Sequence, residues 1–104
     1  MGRDELTYNT TLVLRALAVG HGYGFDLMRA TELPSGTVYP ILRRLEAGGL
    51  VRSRWENETR AHADGRPRRR YYEATAAGQA ALAGALERIN AHRRLLDMPA
   101  PGMP

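Results

Sequence analysis

Two clusters of arginine are the groups in this chain best able to hold a ligand. Arg43 and Arg44 fall inside the run Leu33-Pro-Ser-Gly-Thr-Val-Tyr-Pro-Ile-Leu-Arg-Arg-Leu-Glu-Ala-Gly-Gly-Leu50, and Arg66, Arg68, Arg69 and Arg70 crowd Gly65-Arg-Pro-Arg-Arg-Arg-Tyr-Tyr72. A guanidinium is permanently charged and planar, and its donors fit a phosphate or the edge of a guanine two at a time. Ser35, Gly36, Thr37 and Pro40 precede the first pair with small groups that let a duplex come close to the backbone, and the Tyr39 phenol can donate to a phosphate. The other reactive residue types form no site. His21, His62 and His92 are scattered and show no metal-ligand spacing or Ser-His-Asp grouping. Cysteine is absent, which removes disulfides and thiolate chemistry. His21-Gly-Tyr-Gly24 lacks the preceding strand and the spacing of a phosphate-binding loop. The expectation is a protein that binds double-stranded DNA, with no catalytic residues, no metal and no cofactor.

The elements that position these arginines follow from periodicity. In a helix starting at Ser35, a good cap, Val38, Ile41, Leu42 and Leu45 recur at i, i+3, i+4 and i+7, giving one apolar stripe. Gly36, Pro40, Arg43 and Ala47 then lie opposite it, flanked by Thr37 and Arg44 on one side and Tyr39 on the other. Pro40 is tolerable near the first turn, and Gly48-Gly49 supplies a left-handed stop. Upstream, Leu6 to Val19 reads as a first helix, with Asp4-Glu5 at its positive end, and Tyr23 to Thr31 as a short second one resting on Leu27 and Met28.

Downstream, residues 50–56 alternate, with Val51, Ser53 and Trp55 on one face and Arg52, Arg54 and Glu56 on the other. Residues 57–69 read as a polar loop and 70–74 as the returning strand, so the second arginine cluster sits at a hairpin tip. Trp55 reads as a sheet-packing residue in preference to a ligand-stacking one. Thr75 caps a last helix over about 76–96, with Gly78 standing where a capping box would place Glu or Gln. Leu82, Leu86, Ile89 and Leu96 keep heptad spacing on it. That stripe is too long for so small a domain to cover, and with Ala85 it is assigned to a dimer interface. A helix shaped for the major groove beside a cationic ribbon is the layout of a winged helix-turn-helix.

Composition agrees. The chain has 104 residues, enough for one compact domain, and 43% hydrophobic residues, enough for a core. Its fifteen basic residues are all arginine, against eleven acids, for a net charge of +4. A coding bias toward arginine explains the missing lysine equally well, but not where the arginines cluster. No apolar run approaches the ~18 residues of a membrane span, and no signal-peptide pattern opens the chain, so a cytoplasmic protein is expected.

Several motifs resemble the PadR family of bacterial transcriptional regulators: His21-Gly-Tyr-Gly24, Ser35-Gly-Thr-Val-Tyr-Pro40, Leu42-Arg-Arg-Leu-Glu46, Gly49-Leu50, Trp55, Gly65-Arg-Pro67, Tyr71-Tyr72 and Thr75-Ala-Ala-Gly78. They cover residues 10 to 85 in family order. The resemblance implies a winged-helix DNA-binding domain, a dimer built on the last helix and supported by the first, and repression of nearby genes. The stretch between Gly24 and Ser35 is shorter than in typical members, so the second helix should be clipped. The single C-terminal helix resembles the short subgroup, which leaves the effector pocket open.

The resulting expectation is a mostly α-helical chain with a small β-hairpin: a winged-helix domain over 1–74, a dimerisation helix over 75–98 and a disordered tail over 99–104. Its function is then that of a homodimeric, sequence-specific repressor on a palindromic operator, with the existence of a small-molecule effector left open. A protein-docking module on the same scaffold, without DNA binding, is the alternative.

Overall fold

The computed structural model describes residues 6–102, so Asp4, Glu5 and the end of the tail lie outside the described residues. The order is α1 (Tyr8–Ala18), α2 (Gly24–Thr31), α3 (Ser35–Ala47), β1 (Val51–Trp55), α4 (Glu58–Ala63), β2 (Arg70–Ala74) and α5 (Ala76–Leu96). The two strands pair antiparallel from Val51 opposite Ala74 to Trp55 opposite Arg70. A single bridge between Tyr23 and Tyr71 adds the segment before α2 to the far edge of β2.

The four residues of the α3 stripe are all buried, against Val13, Leu14 and Leu17 of α1, Leu27 of α2, Val51 of β1 and Leu82 of α5. Burying so many branched side chains at about 1.5–3 kcal/mol each fixes the rotation of α3 about its own axis. The opposite face must then be bare.

The helix ends differ from expectation in instructive ways. Pro34, not Ser35, takes the cap position of α3, because its ring presets the extended backbone a cap needs (φ −74°, ψ 164°). Ser35 becomes the first helical residue. Pro40 sits six residues into α3, beyond its first turn, and the helix continues through it. The hydrogen bond it removes would have gone to Gly36, and both residues lie on the outer face, where the freed carbonyl meets solvent. Only Gly49 of the glycine pair takes a left-handed backbone (φ 76°). Residues 57–69, read as a loop, contain α4: Asn57 Oδ1 accepts the Thr59 and Arg60 amides at 2.8 and 3.3 Å, and Ala61 is buried beneath.

The start of α5 is set by close approach. Thr75 Oγ1 accepts from the Gly78 amide at 3.1 Å, as expected of a cap, and donates to the Gly49 carbonyl at 2.7 Å. A β-carbon on Gly78 would overlap the Leu50 carbonyl oxygen. That is why a capping-box Glu or Gln is absent. Farther along, α5 leaves the body of the protein. Every described residue from Asn90 onward is exposed, and the radius of gyration, 17.1 Å, exceeds the ~13 Å of a compact domain this size.

Gly78→Ala separates two opposed effects. Helix propensity alone favours alanine by about 1 kcal/mol. Overlap with a backbone carbonyl that cannot swing aside costs about 1–3 kcal/mol or more. Urea denaturation should therefore show a net loss of stability, and a gain would mean that α5 does not press on Leu50 as described.

Candidate nucleic-acid interface

The outer face of α3 presents what its stripe leaves over. Ser35, Gly36, Arg43, Arg44 and Ala47 are exposed, and Thr37 and Pro40 are half-buried at its edges. One flank, through Thr37 and Arg44, borders Thr7 and Asn9 at the start of α1. The other runs along Tyr39, Arg43 and Glu46 toward Tyr72 of β2. Burial raises the Tyr72 phenol above its usual pKa, and the charge of Arg70 opposes that rise. Tyr39 lies over Gly24, whose hydrogen leaves room that a β-carbon would fill with the phenol. The second glycine of His21-Gly-Tyr-Gly24 thus seats the shoulder of α3 against α2.

The wing is clasped by an ion pair that the alternation of β1 does not foretell. Glu56, expected on the open face with Arg52 and Arg54, is only 5% exposed. The chain turns inward after Trp55, where the Glu56 amide donates to the Arg69 carbonyl at 2.7 Å. Both Glu56 carboxylate oxygens take the Arg66 guanidinium, at 2.6 and 2.7 Å, and Oε1 also accepts the Arg69 amide at 3.2 Å. Arg66, expected among the DNA-contacting arginines, is thus bound at the base of the wing by Glu56 and Asp64. Those arginine bonds hold Glu56 down to about 2 from an ordinary 4.5, with desolvation opposing them.

The remaining wing arginines are stacked on rings. Trp55, expected to pack in the sheet, is 54% exposed, and the Arg68 and Arg70 guanidiniums lie 5.3 and 5.6 Å from its centre. Arg69 lies 4.2 Å over Tyr23. Between the wing and the Tyr39 shoulder runs a groove of about 760 Å³ lined by Tyr23, Phe25, Tyr39, Trp55, Arg68 and Tyr72, among others. Among the described residues no carboxylate lines it, and it runs from the arginines of the wing to Tyr39 at the shoulder of α3.

The α5 stripe divides. Leu82 is 4% exposed and Ala85 is buried too, both within this chain. Leu86 and Ile89 are half-buried, and Leu96 is 82% exposed with Leu95 and Met98 beside it. Heptad spacing cannot distinguish burial by the chain's own α1 from burial by another copy. Among the described residues, no grouping of His, Asp and Glu could hold a metal ion, and no helix is long and apolar enough to cross a membrane.

Two strands behind a helix whose outer face is small and cationic make this a winged helix-turn-helix protein. The model of the PadR-like transcriptional regulator family matches residues 13–84, and the chain belongs to that family. Its solved neighbours share the fold. A PadR family transcription regulator from Clostridium difficile R20291 aligns at TM-score 0.75 and 24% identity, over 88% of this chain and 96% of that one. A Streptococcus mutans UA159 protein aligns at 0.73 and 25%, over 86% and 82%. BpsR of Bordetella bronchiseptica, whose DNA binding is described as regulated by 6-hydroxynicotinic acid, aligns at 0.72 and 21%, over 97% and 73%. No curated protein matches the sequence.

The Glu56 clasp has a defined pH window. A carboxylate held near 2 in the folded wing against 4.5 otherwise contributes stability above about 4.5, which is lost as pH falls toward 2. Trp55 is the single tryptophan and stands on the wing, so its emission reports the change. It should shift between pH 4.5 and 2 in the wild type, whereas Glu56→Gln should be altered already at neutral pH and shift less below it. A wild-type signal that follows the variant at every pH would remove the clasp.

Proposed function

We propose that this transcriptional regulator acts in the cytoplasm as a homodimeric repressor on a palindromic operator. Each α3 enters a major groove, and each wing lies on the flanking backbone or minor groove. The observation carrying the reading is the outer face of α3, with Arg43 and Arg44 free of carboxylate partners among the described residues. In this reading Ser35, Gly36, Thr37 and Pro40 admit the duplex, Arg43 reads a guanine edge, and Arg44 and Tyr39 hold phosphates. Arg68, Arg69 and Arg70 supply the wing's charge, while Arg66 keeps the wing folded. A small molecule that changes the spacing of the two α3 helices belongs to the same proposal, as 6-hydroxynicotinic acid regulates the Bordetella neighbour.

The two-fold axis is placed on the outer half of α5. An isolated helical extension is marginal in water unless its apolar side is covered, and Leu86, Ile89, Leu95, Leu96 and Met98 need a second copy to cover them. Dimer contact moves outward from Leu82 and Ala85 accordingly.

Selection of bound duplexes from a random pool supplies the operator, and titration against salt then tests the charge. If the dimer neutralises about six to eight phosphates, log K should fall with log salt at a slope of about −5 to −7. Arg43→Ala should flatten base preference, since a bidentate guanine contact is worth about 1–3 kcal/mol of discrimination. Arg68→Ala should weaken all sequences alike. Equal losses on every sequence from both variants would reduce Arg43 to a phosphate contact.

Leu96→Glu tests the axis without touching the core. Because Leu96 is so exposed in the single chain, the substitution should leave the fold intact and separate the subunits in sedimentation. A wild type already monomeric at micromolar concentration, or a variant that stays dimeric, would place the interface elsewhere.

A further inference from the structure

Glu46 stands on the last turn of α3, outside the arginine clusters, and its carboxylate joins the helix to both strands of the wing. Ser53 Oγ of β1 donates to Glu46 Oε2 at 2.6 Å and accepts from Arg70 Nε of β2 at 3.0 Å. Arg70 Nη2 donates weakly to Glu46 Oε1 at 3.5 Å. The guanidinium also stacks 5.6 Å from the Trp55 ring centre and 5.9 Å from that of Tyr72. Four partners from three elements thus define one orientation for a side chain that is otherwise free to move.

We propose that Glu46 is a positioning residue for DNA readout, holding Arg70 through Ser53 in fixed register with Arg43 on the same helix. The proposal rests on the DNA-binding reading above. Glu46 and Arg70 are both more than a third exposed, and pairs of that kind contribute little to stability. Orientation is a different matter. An arginine that is already ordered does not lose its rotamer freedom when a phosphate or base edge takes it, so affinity gains without a new contact. The wing arginine and the helix arginine then meet the duplex at a set spacing, and a sequence that does not match that spacing is disfavoured.

Ser53→Ala isolates the link, since it cuts the bridge without changing charge. It should weaken operator binding by about two- to tenfold per bound subunit, leave binding to unrelated duplex nearly unchanged, and keep the thermal midpoint of the wild type. Glu46→Gln should lower the ratio of operator to unrelated binding as well, while the lost negative charge raises binding to any duplex. Ser53→Thr, which keeps the hydroxyl, should restore the wild-type ratio. The deciding measurement is a double-mutant cycle. Against an Arg70→Ala background, Ser53→Ala and Glu46→Gln should have no further effect on the ratio. A loss as large in that background as in the wild type overturns the proposal, as does an unchanged ratio in Ser53→Ala. A wild type that binds no duplex overturns the DNA-binding reading itself, and the proposal with it.

Discussion

The one-sided burial of α3 is the constraint on which the rest depends. Val38, Ile41, Leu42 and Leu45 enter a core built by α1, α2, β1 and α5 and allow no rotation of the helix about its axis. Substituting alanine for such a leucine typically costs about 2–5 kcal/mol, a large part of a small domain's stability. Everything on the outer face can then be chosen for what it meets. Pro40 shows the freedom this gives: a proline inside a helix normally costs about 3 kcal/mol, yet here Gly36, whose carbonyl loses its partner, is exposed. The elements around α3 are held close by residues with no side chain. Gly24 lets the Tyr39 ring lie on α2, and Gly78 lets α5 press on Leu50, just before β1.

What the sequence discloses tracks how local the cause is. The span of β2 and the last helix, its Thr75 cap and the α3 stripe all follow from spacing within a few residues, and the structure has them where expected. Pairings across distance were not legible. Glu56 and Arg66 are ten residues apart, and nothing in strand alternation says that the chain folds inward after Trp55 to bring them together. Glu46 and Arg70, twenty-four apart, look like ordinary surface charges until the hairpin pairs Ser53 with Tyr72. The six-residue α4 carries one buried apolar residue, Ala61, too little to make a periodic signal; the Asn57 cap was its only trace. In α5 the heptad was visible, but which residues face the chain's own α1 depended on where that helix lies.

The arginines of the wing are not equivalent, though the sequence shows them as a block. Arg66 is taken up by a buried carboxylate and keeps the hairpin tip folded. Arg69 is pinned on Tyr23, which ties the wing to the segment leading into α2. Arg68 and Arg70 flank Trp55, each also donating within the chain, Arg68 to the Glu56 carbonyl and Arg70 to Ser53 and Glu46. Removing Arg66 leaves Glu56 as an unpaired carboxylate in the interior, a fault of folding. Losing Arg68 subtracts a charge from a surface that remains folded.

That division bears on why the chain uses arginine here. A coding bias replaces lysine indiscriminately and predicts no particular geometry for the result. In this wing the guanidiniums of Arg68, Arg69 and Arg70 each lie within 6 Å of an aromatic ring centre, and Arg66 makes a forked bond to both oxygens of one carboxylate. A lysine ammonium can lie over a ring, but it cannot form the forked pair with Glu56, nor lie over a ring while also donating sideways as Arg68 does to the Glu56 carbonyl and Arg70 to Ser53. Each exposed stacking contact is worth only about 0.5–1 kcal/mol, so the gain is less in stability than in holding a charged group still. Under the proposed reading, a surface that meets a phosphate backbone in one register has use for that. Whatever set the codon usage of this chain, the forked pair with Glu56 requires the planar cation at position 66.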